Sequence, residues 1–168
     1  MKKEPFVAII CALSILCVAT VGLLLMSIFS TARQLPKLSE EYYGISSYTE
    51  VGSSEFDELR AREDTFIVFI HQPFCVTSNE FNDVLTEFME RDDIGIVKIK
   101  FADLKKTNLA EDIKRFPSAA VITNGKLAAY LDASSEDDEK YYQTVDNFEQ
   151  WVSRFVEIKN DQNVSEVE

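Results

Sequence analysis

Glycine is scarce in this 168-residue chain (5), histidine occurs once and cysteine three times. Few glycines leave little room for phosphate-cradling loops, and neither a P-loop nor a G-x-G-x-x-G run is present. With a single histidine and no C-x-x-C pair, no metal site is expected, and no cofactor. Cys11 and Cys17 lie in an apolar N-terminal run, so no disulfide framework forms and Cys75 is the one thiol outside it. Basic side chains are outnumbered, 17 against 29 acidic, and the formal charge of −12 would repel nucleic-acid phosphates. Phenylalanine, by contrast, is abundant (12), which suits the packed core of one ordinary domain.

No charged residue appears from Pro5 to Ala32. That run exceeds the roughly 20 apolar residues that span a bilayer. After a short flank (1–4), residues 5–32 therefore read as a transmembrane segment. Lys2 and Lys3 before it are nearly balanced by Arg33 and Lys37 after it. The charge rule gives a weak preference for an inside N-terminus, and so for a single-pass membrane protein whose soluble domain is extracytoplasmic. Ser30-Thr31-Ala32 would suit a signal peptidase, but the run is longer than the roughly 7–15 residues of a cleavable signal's apolar core. An uncleaved signal anchor is the favoured reading. Cys11 and Cys17 fit small lipid-facing residues, with palmitoylation the lesser alternative. Residues 33–47, polar and carrying Pro36 and a Tyr42-Tyr43-Gly44 turn signal, read as a linker. Residues 158–168 read as a frayed polar tail, with a glycosylation sequon at Asn163-Val164-Ser165.

The remaining residues, 48–157, are organised around the stretch from Thr65 to Glu90. Phe66 to Ile70 is a continuous apolar run, the pattern of a central strand covered on both faces. Phe81, Val84, Leu85, Phe88 and Met89 recur at helical spacing and predict one apolar helix face. Between them Phe74-Cys75-Val76-Thr77-Ser78 puts Cys75 at or just before the first helical turn. Unpaired N–H groups and the positive end of the helix dipole there favour thiolate.

Tyr48 to Val51 predicts a first, edge strand. Ser53 or Ser54 is a candidate cap for a short helix with Phe56 and Leu59 inward. Ile94 to Phe101 is β-rich. Thr107 is expected to cap a helix presenting Leu109, Ile113 and Phe116, ended by Pro117. Ala119 to Thr123, Asn124-Gly125 and Lys126 to Leu131 predict a hairpin on a strong turn signal. Residues 132–142 are an acidic insertion, read as a solvated loop in preference to a docking surface. Asp146 with Glu149 forms a candidate capping pair for a last helix that buries Phe148, Trp151, Val152, Phe155 and Val156.

The order strand, cysteine turn, helix, together with Phe116-Pro117 and the hairpin after it, resembles the thioredoxin superfamily. The resemblance covers about residues 48–156 and implies an α/β fold, a mixed central sheet flanked by helices. It implies that Pro117 is a cis-proline facing Cys75, with the backbone before it able to pair with an extended client. One departure matters: Ser78 stands where the family carries its second cysteine, so the motif is C-x-x-S. The family's buried carboxylate in the preceding strand is also missing, since Phe69 holds that position.

The resemblance implies Cys75, Ser78 and Pro117 as the catalytic set, with Phe74, Thr77 and Phe116 contacting the substrate. Two functions remain open. One is a membrane-tethered protein engaging cysteine-containing proteins or peptides by monothiol exchange, with Cys75 as nucleophile. The other is a redox-silent binding protein holding a partner at the membrane, more loosely similar to thioredoxin-like accessory proteins beside bacterial peptide exporters. His71, four residues before Cys75, is read as a partly exposed strand-end residue in preference to a cation beside the thiolate.

Overall fold

The computed structural model describes residues 34–158. The expected membrane anchor (5–32), the flank before it and residues 159–168 with Asn163 lie outside the described residues. Among the described residues no helix is long and apolar enough to cross a membrane.

Five strands form one sheet in the order β1-β3-β2-β4-β5: β1 (Tyr48–Val51), β2 (Phe66–His71), β3 (Ile96–Lys100), β4 (Ser118–Thr123) and β5 (Lys126–Tyr130). The sheet is mixed, because β1, β3 and β2 run parallel while β4 lies antiparallel to both β2 and β5. The apolar run of β2 is buried from Phe66 to Ile70, as its position between β3 and β4 requires.

Alternation along β2 sends its side chains to two helical layers. Phe66 meets Phe56 of α1 (Ser53–Ala61) edge to face at 5.9 Å. On the opposite face Phe69 meets Phe81 of α2 (Val76–Asp92) at 5.7 Å. Phe81 and Phe88 in turn pack on Phe148 of the last helix, α4 (Val145–Val152), at 5.7 and 4.9 Å. Phe56, Phe66, Phe69, Phe81, Phe88 and Phe148 are all buried. Each such ring contributes about 1.5–3 kcal/mol of burial, so these six together tie the helical layers to the sheet.

Several local expectations are corrected. Residues 34–47 are not a free linker: the compact unit begins at Leu35, and Leu38 and Tyr42 are buried in the core. Two apolar residues one turn apart outweigh the polar composition around them. Ser39 N–H donates to Thr65 C=O at 2.8 Å, and Gly44 N–H to Asp93 C=O at 2.7 Å, fastening the segment to the sheet ends. Helix α1 is capped by Gly52, whose N–H donates to the Glu55 carboxylate at 3.0 Å, and not by Ser53 or Ser54. The strand before it stops at Val51, so the helix starts one residue earlier than the serines suggest.

Thr107 stands at the N-cap of a short 3-10 turn and not of an α-helix, and its side chain makes no cap hydrogen bond. Its hydroxyl donates to Leu104 C=O at 2.8 Å, closing the single turn α3 (Phe101–Leu104), and only a 3-10 turn follows at Asn108–Glu111. The residue before a proline avoids helical geometry, which bars a helix from running up to Phe116. Leu109 and Ile113 are nonetheless buried. The cap of α4 is Thr144, whose hydroxyl accepts the Asn147 N–H at 3.3 Å. Asp146 and Glu149 instead both bind the Arg91 guanidinium, tying α4 to the end of α2. Phe155 and Val156 lie beyond the helix end, Val156 still buried.

Candidate functional site

Cys75 is the N-cap of α2, with extended backbone angles (φ −89°, ψ 124°) and a partly exposed side chain. Its sulfur lies 3.1 Å from the Thr77 hydroxyl oxygen. Hydrogen bonding by that hydroxyl holds the thiol below its ordinary pKa, helped by the Ser78 backbone N–H and then the Ser78 hydroxyl. Four N–H groups at a helix start have no intrahelical partner, and a thiolate there is the anion they favour. Among the described residues Cys75 is the free thiol.

Ser78 faces inward and is buried, its hydroxyl accepting the Gln72 N–H at 3.5 Å. It therefore braces the turn that carries the cysteine. Phe74 is the opposite case. Its ring is wholly exposed, its backbone is left-handed (φ 64°), and Val76 on the other side of Cys75 is exposed as well. A left-handed non-glycine residue costs about 1–2 kcal/mol, and such outliers gather at functional sites.

The Phe116–Pro117 peptide is cis. Pro117 and Phe116 line an open cleft of about 500 Å³ together with Thr77, the residue whose hydroxyl touches the Cys75 sulfur. Cys75 itself is outside the lining and adjoins the cleft through Thr77. Phe74 is also outside it, so of the residues expected to contact the substrate Thr77 and Phe116 line the cleft and Phe74 does not. Pro117 C=O accepts the Tyr142 hydroxyl at 3.1 Å, while Phe116 makes no backbone hydrogen bond among the described residues. That free amide edge is the one an extended chain could pair with.

His71 is not among the hydrogen-bond partners of the Cys75 sulfur, which are Thr77 and Ser78. It stacks on Phe69 at 5.6 Å and lines a second, smaller hollow with Glu50, Lys98 and Lys100. Burial, then the Lys98 ammonium, lower its pKa and keep the ring neutral. At the position of the missing carboxylate, the Phe69 ring lies 5.6 Å from the Lys98 ammonium, which also sits 4.5 Å over Tyr48 and donates to Asn82 at 3.2 Å. No proton acceptor therefore lies beneath the turn at that position.

The acidic insertion is the element that the residue pattern did not assign to the site. Ala133 to Glu136, with Glu139, Tyr142 and Gln143, form one wall of the cleft, and Glu80 of α2 lies on another side. The cause is the hairpin register: Leu131 N–H donates to Ala119 C=O at 2.8 Å and Ser118 hydroxyl to Leu131 C=O at 2.6 Å. Whatever follows Leu131 is thus delivered next to Pro117. The sequence signal was the length and charge of the segment after a strand already paired to the Pro117 strand.

No protein-family model matches the sequence, and no curated protein matches it. Solved structures do. A single-residue mutant of thioredoxin from Halobacterium salinarum superposes with a TM-score of 0.52 at 15% identity, covering 67% of this chain and 93% of that one. Thioredoxin from Plasmodium falciparum (TM-score 0.48, 17% identity, 66% of this chain and 99% of that one) is a further match. So is reduced thioredoxin from Schistosoma mansoni (TM-score 0.48, 16% identity, 66% and 97%). Identities this low speak of fold alone. The strand order, the cysteine at the helix start, the cis-proline beside the cleft and the Halobacterium superposition agree: this chain has the thioredoxin fold.

Proposed function

We propose that this chain is a membrane-tethered thiol–disulfide exchange protein that works through the single thiol of Cys75. The observation carrying the proposal is the partly exposed sulfur at the start of α2, hydrogen-bonded to Thr77, with its pKa lowered. A thiolate is the attacking species in exchange, and a lowered pKa raises its fraction at neutral pH.

In the reaction the Cys75 thiolate attacks one sulfur of a client disulfide. A bond forms between the Cys75 sulfur and that sulfur, the client S–S bond breaks, and the second client sulfur leaves as thiolate. The client backbone pairs with the free Phe116 amide edge beside Pro117, and exposed Phe74 and Val76 give apolar purchase next to the sulfur. Ser78 offers no thiol, so the mixed disulfide is released only when another client thiolate, or a small thiol, attacks the client sulfur and returns Cys75 as thiolate. Both electrons stay on sulfur throughout, so the cycle calls for no metal and no organic cofactor. The charge-free residues 5–32 support tethering of a domain outside the cytoplasm, where disulfides persist.

The competing reading, a binding protein without exchange chemistry, draws on the same Ser78. The two separate in one experiment: recovery from cells of disulfide-linked partners of the full chain, with Cys75→Ser as control. Partners lost in the variant support exchange. A Cys75 thiol that titrates at or above about 8.5 and captures nothing would overturn it.

A further inference from the structure

The acidic residues in and beside the cleft are used in two different ways. Asp132 and Asp138 are spent on building the loop: the Asp132 carboxylate accepts from Ser134 N–H and hydroxyl at 2.9 and 2.7 Å, and Asp138 accepts the Asp132 N–H at 2.9 Å. Glu80, Glu136 and Glu139, which line the cleft, are different. All three are exposed, none has an ion-pair or hydrogen-bond partner through its carboxylate among the described residues, and no basic side chain lines the cleft with them. Lys140, next to Glu139 in sequence, is held 4.8 Å over the Tyr141 ring, and Arg115, next to Phe116, interacts electrostatically with Asp132.

Beneath these carboxylates the floor is apolar and aromatic: Phe81, Phe116, Pro117 and Tyr142. Tyr142 is held by its bond to Pro117 C=O and packs, tilted by 53°, against Phe81 at 4.5 Å. A rigid aromatic floor under a rim of unpaired carboxylates matches a long cationic side chain, whose methylenes lie on the rings while its charged end reaches the rim. An acidic segment or an anionic small thiol meets three unpaired carboxylates of its own sign there.

We propose that the cleft selects clients in which the reacting cysteine is flanked by lysine or arginine, with Glu80, Glu136 and Glu139 as the selecting residues. This rests on the exchange reading above for the cysteine, but the charge preference belongs to the cleft. It makes a cysteine-bearing basic peptide the favoured substrate class and disfavours acidic small thiols as first partners.

The test uses the full-length chain and three extended peptides with a central cysteine flanked by Lys/Arg, by Ser or by Glu, each carried as a disulfide with 2-thiopyridine. Cys75 thiolate attacks the peptide sulfur, the Cys75–peptide disulfide forms, and 2-thiopyridone leaves and is read by absorbance. The basic peptide is expected to react about tenfold faster than the neutral one at low salt, and the acidic one slower still. Raising the salt to about 0.5 M, where charges are screened within a few ångströms, should collapse the ratio towards one. The Glu80→Gln/Glu136→Gln/Glu139→Gln variant should do the same at low salt.

Fluorescence anisotropy with the same peptides carrying serine for cysteine reads the cleft without the thiol. Equal rates and equal binding for all three peptides would overturn the charge preference while leaving exchange intact. A basic preference in binding with no thiopyridone release from any peptide would overturn exchange and leave the cleft assignment standing. A basic preference that survives both salt and the glutamine variant would also overturn the assignment to these carboxylates.

Discussion

The hydroxyl oxygen of Thr77 lies 3.1 Å from the sulfur of Cys75, two residues away across the first turn of α2. It is the largest cause of the lowered thiol pKa. Replacing Thr77 by valine removes the donor and keeps the shape, so the thiol should titrate higher. Alkylation at neutral pH should slow several-fold, while the plateau at alkaline pH is equal or higher, because a more basic thiolate is intrinsically more nucleophilic. Thr77→Ser should restore the parent profile. A pH–rate curve indifferent to Thr77→Val would make the hydroxyl a bystander.

Ser78 is buried one turn into the helix, three residues from the thiol. Ser78→Cys is nearly isosteric and supplies an internal attacker for the mixed disulfide. Attack forms an intramolecular S–S bond and expels the client as a thiol. Complexes that persist in the parent until an outside thiol is added should then decay by themselves. With Phe69 and no carboxylate under the turn, nothing nearby takes the introduced thiol's proton, so that decay should accelerate with pH. Gel analysis of preformed complexes gives both numbers, and complexes stable at alkaline pH would contradict the monothiol account.

His71 supplies a pH dependence of stability. Burial and the Lys98 ammonium place its folded pKa below the unfolded value of about 6.5. Between the two values the unfolded chain binds more protons, so stability rises with pH across that window. Its contribution is complete above about pH 6.5 and is lost as pH falls through the folded value. His71→Gln should therefore lose less melting temperature than the parent between neutral pH and pH 5, whatever its starting stability. Parallel acid limbs would remove His71 from the account.

Gly125 closes the β4–β5 hairpin with φ +71°, after Asn124 at φ 49°. A Cβ there would stand 2.1 Å from Arg60 C=O, while Arg60 Nε–H donates to Gly125 C=O at 3.0 Å and Gly125 N–H to Asp64 C=O at 3.0 Å. Gly125→Ala must both strain the backbone and push the end of α1 away from the turn. A loss of at least about 1–3 kcal/mol is expected, as a lower urea midpoint at unchanged slope. A midpoint within error of the parent would show that the turn can move.

The residue pattern was sufficient for whatever depends on neighbours in the chain. The apolar run of β2, the helical spacing from Phe81 to Met89 and the Asn124-Gly125 turn each specify local geometry that leaves few alternatives. So does the placement of Cys75 at a helix start. The caps were less legible, because Gly52 and Thr144 compete with equally suitable neighbours and the winner depends on where the preceding segment ends. Burial of Leu38 and Tyr42 was hidden by the polar residues between them.

By itself, then, the sequence determined the alternation of strands and helices, the thiol at a helix start, and the presence of Ser78 and Phe69 where neither a second thiol nor a carboxylate stands. Only the tertiary structure decided that His71 lies against Phe69 and Lys98, and that residues 133–143 stand beside Pro117. Those outcomes arise from strand register and from the crossing of α2 over the sheet. Pairing partners far apart in the chain set both, and no local pattern of residues encodes their distance.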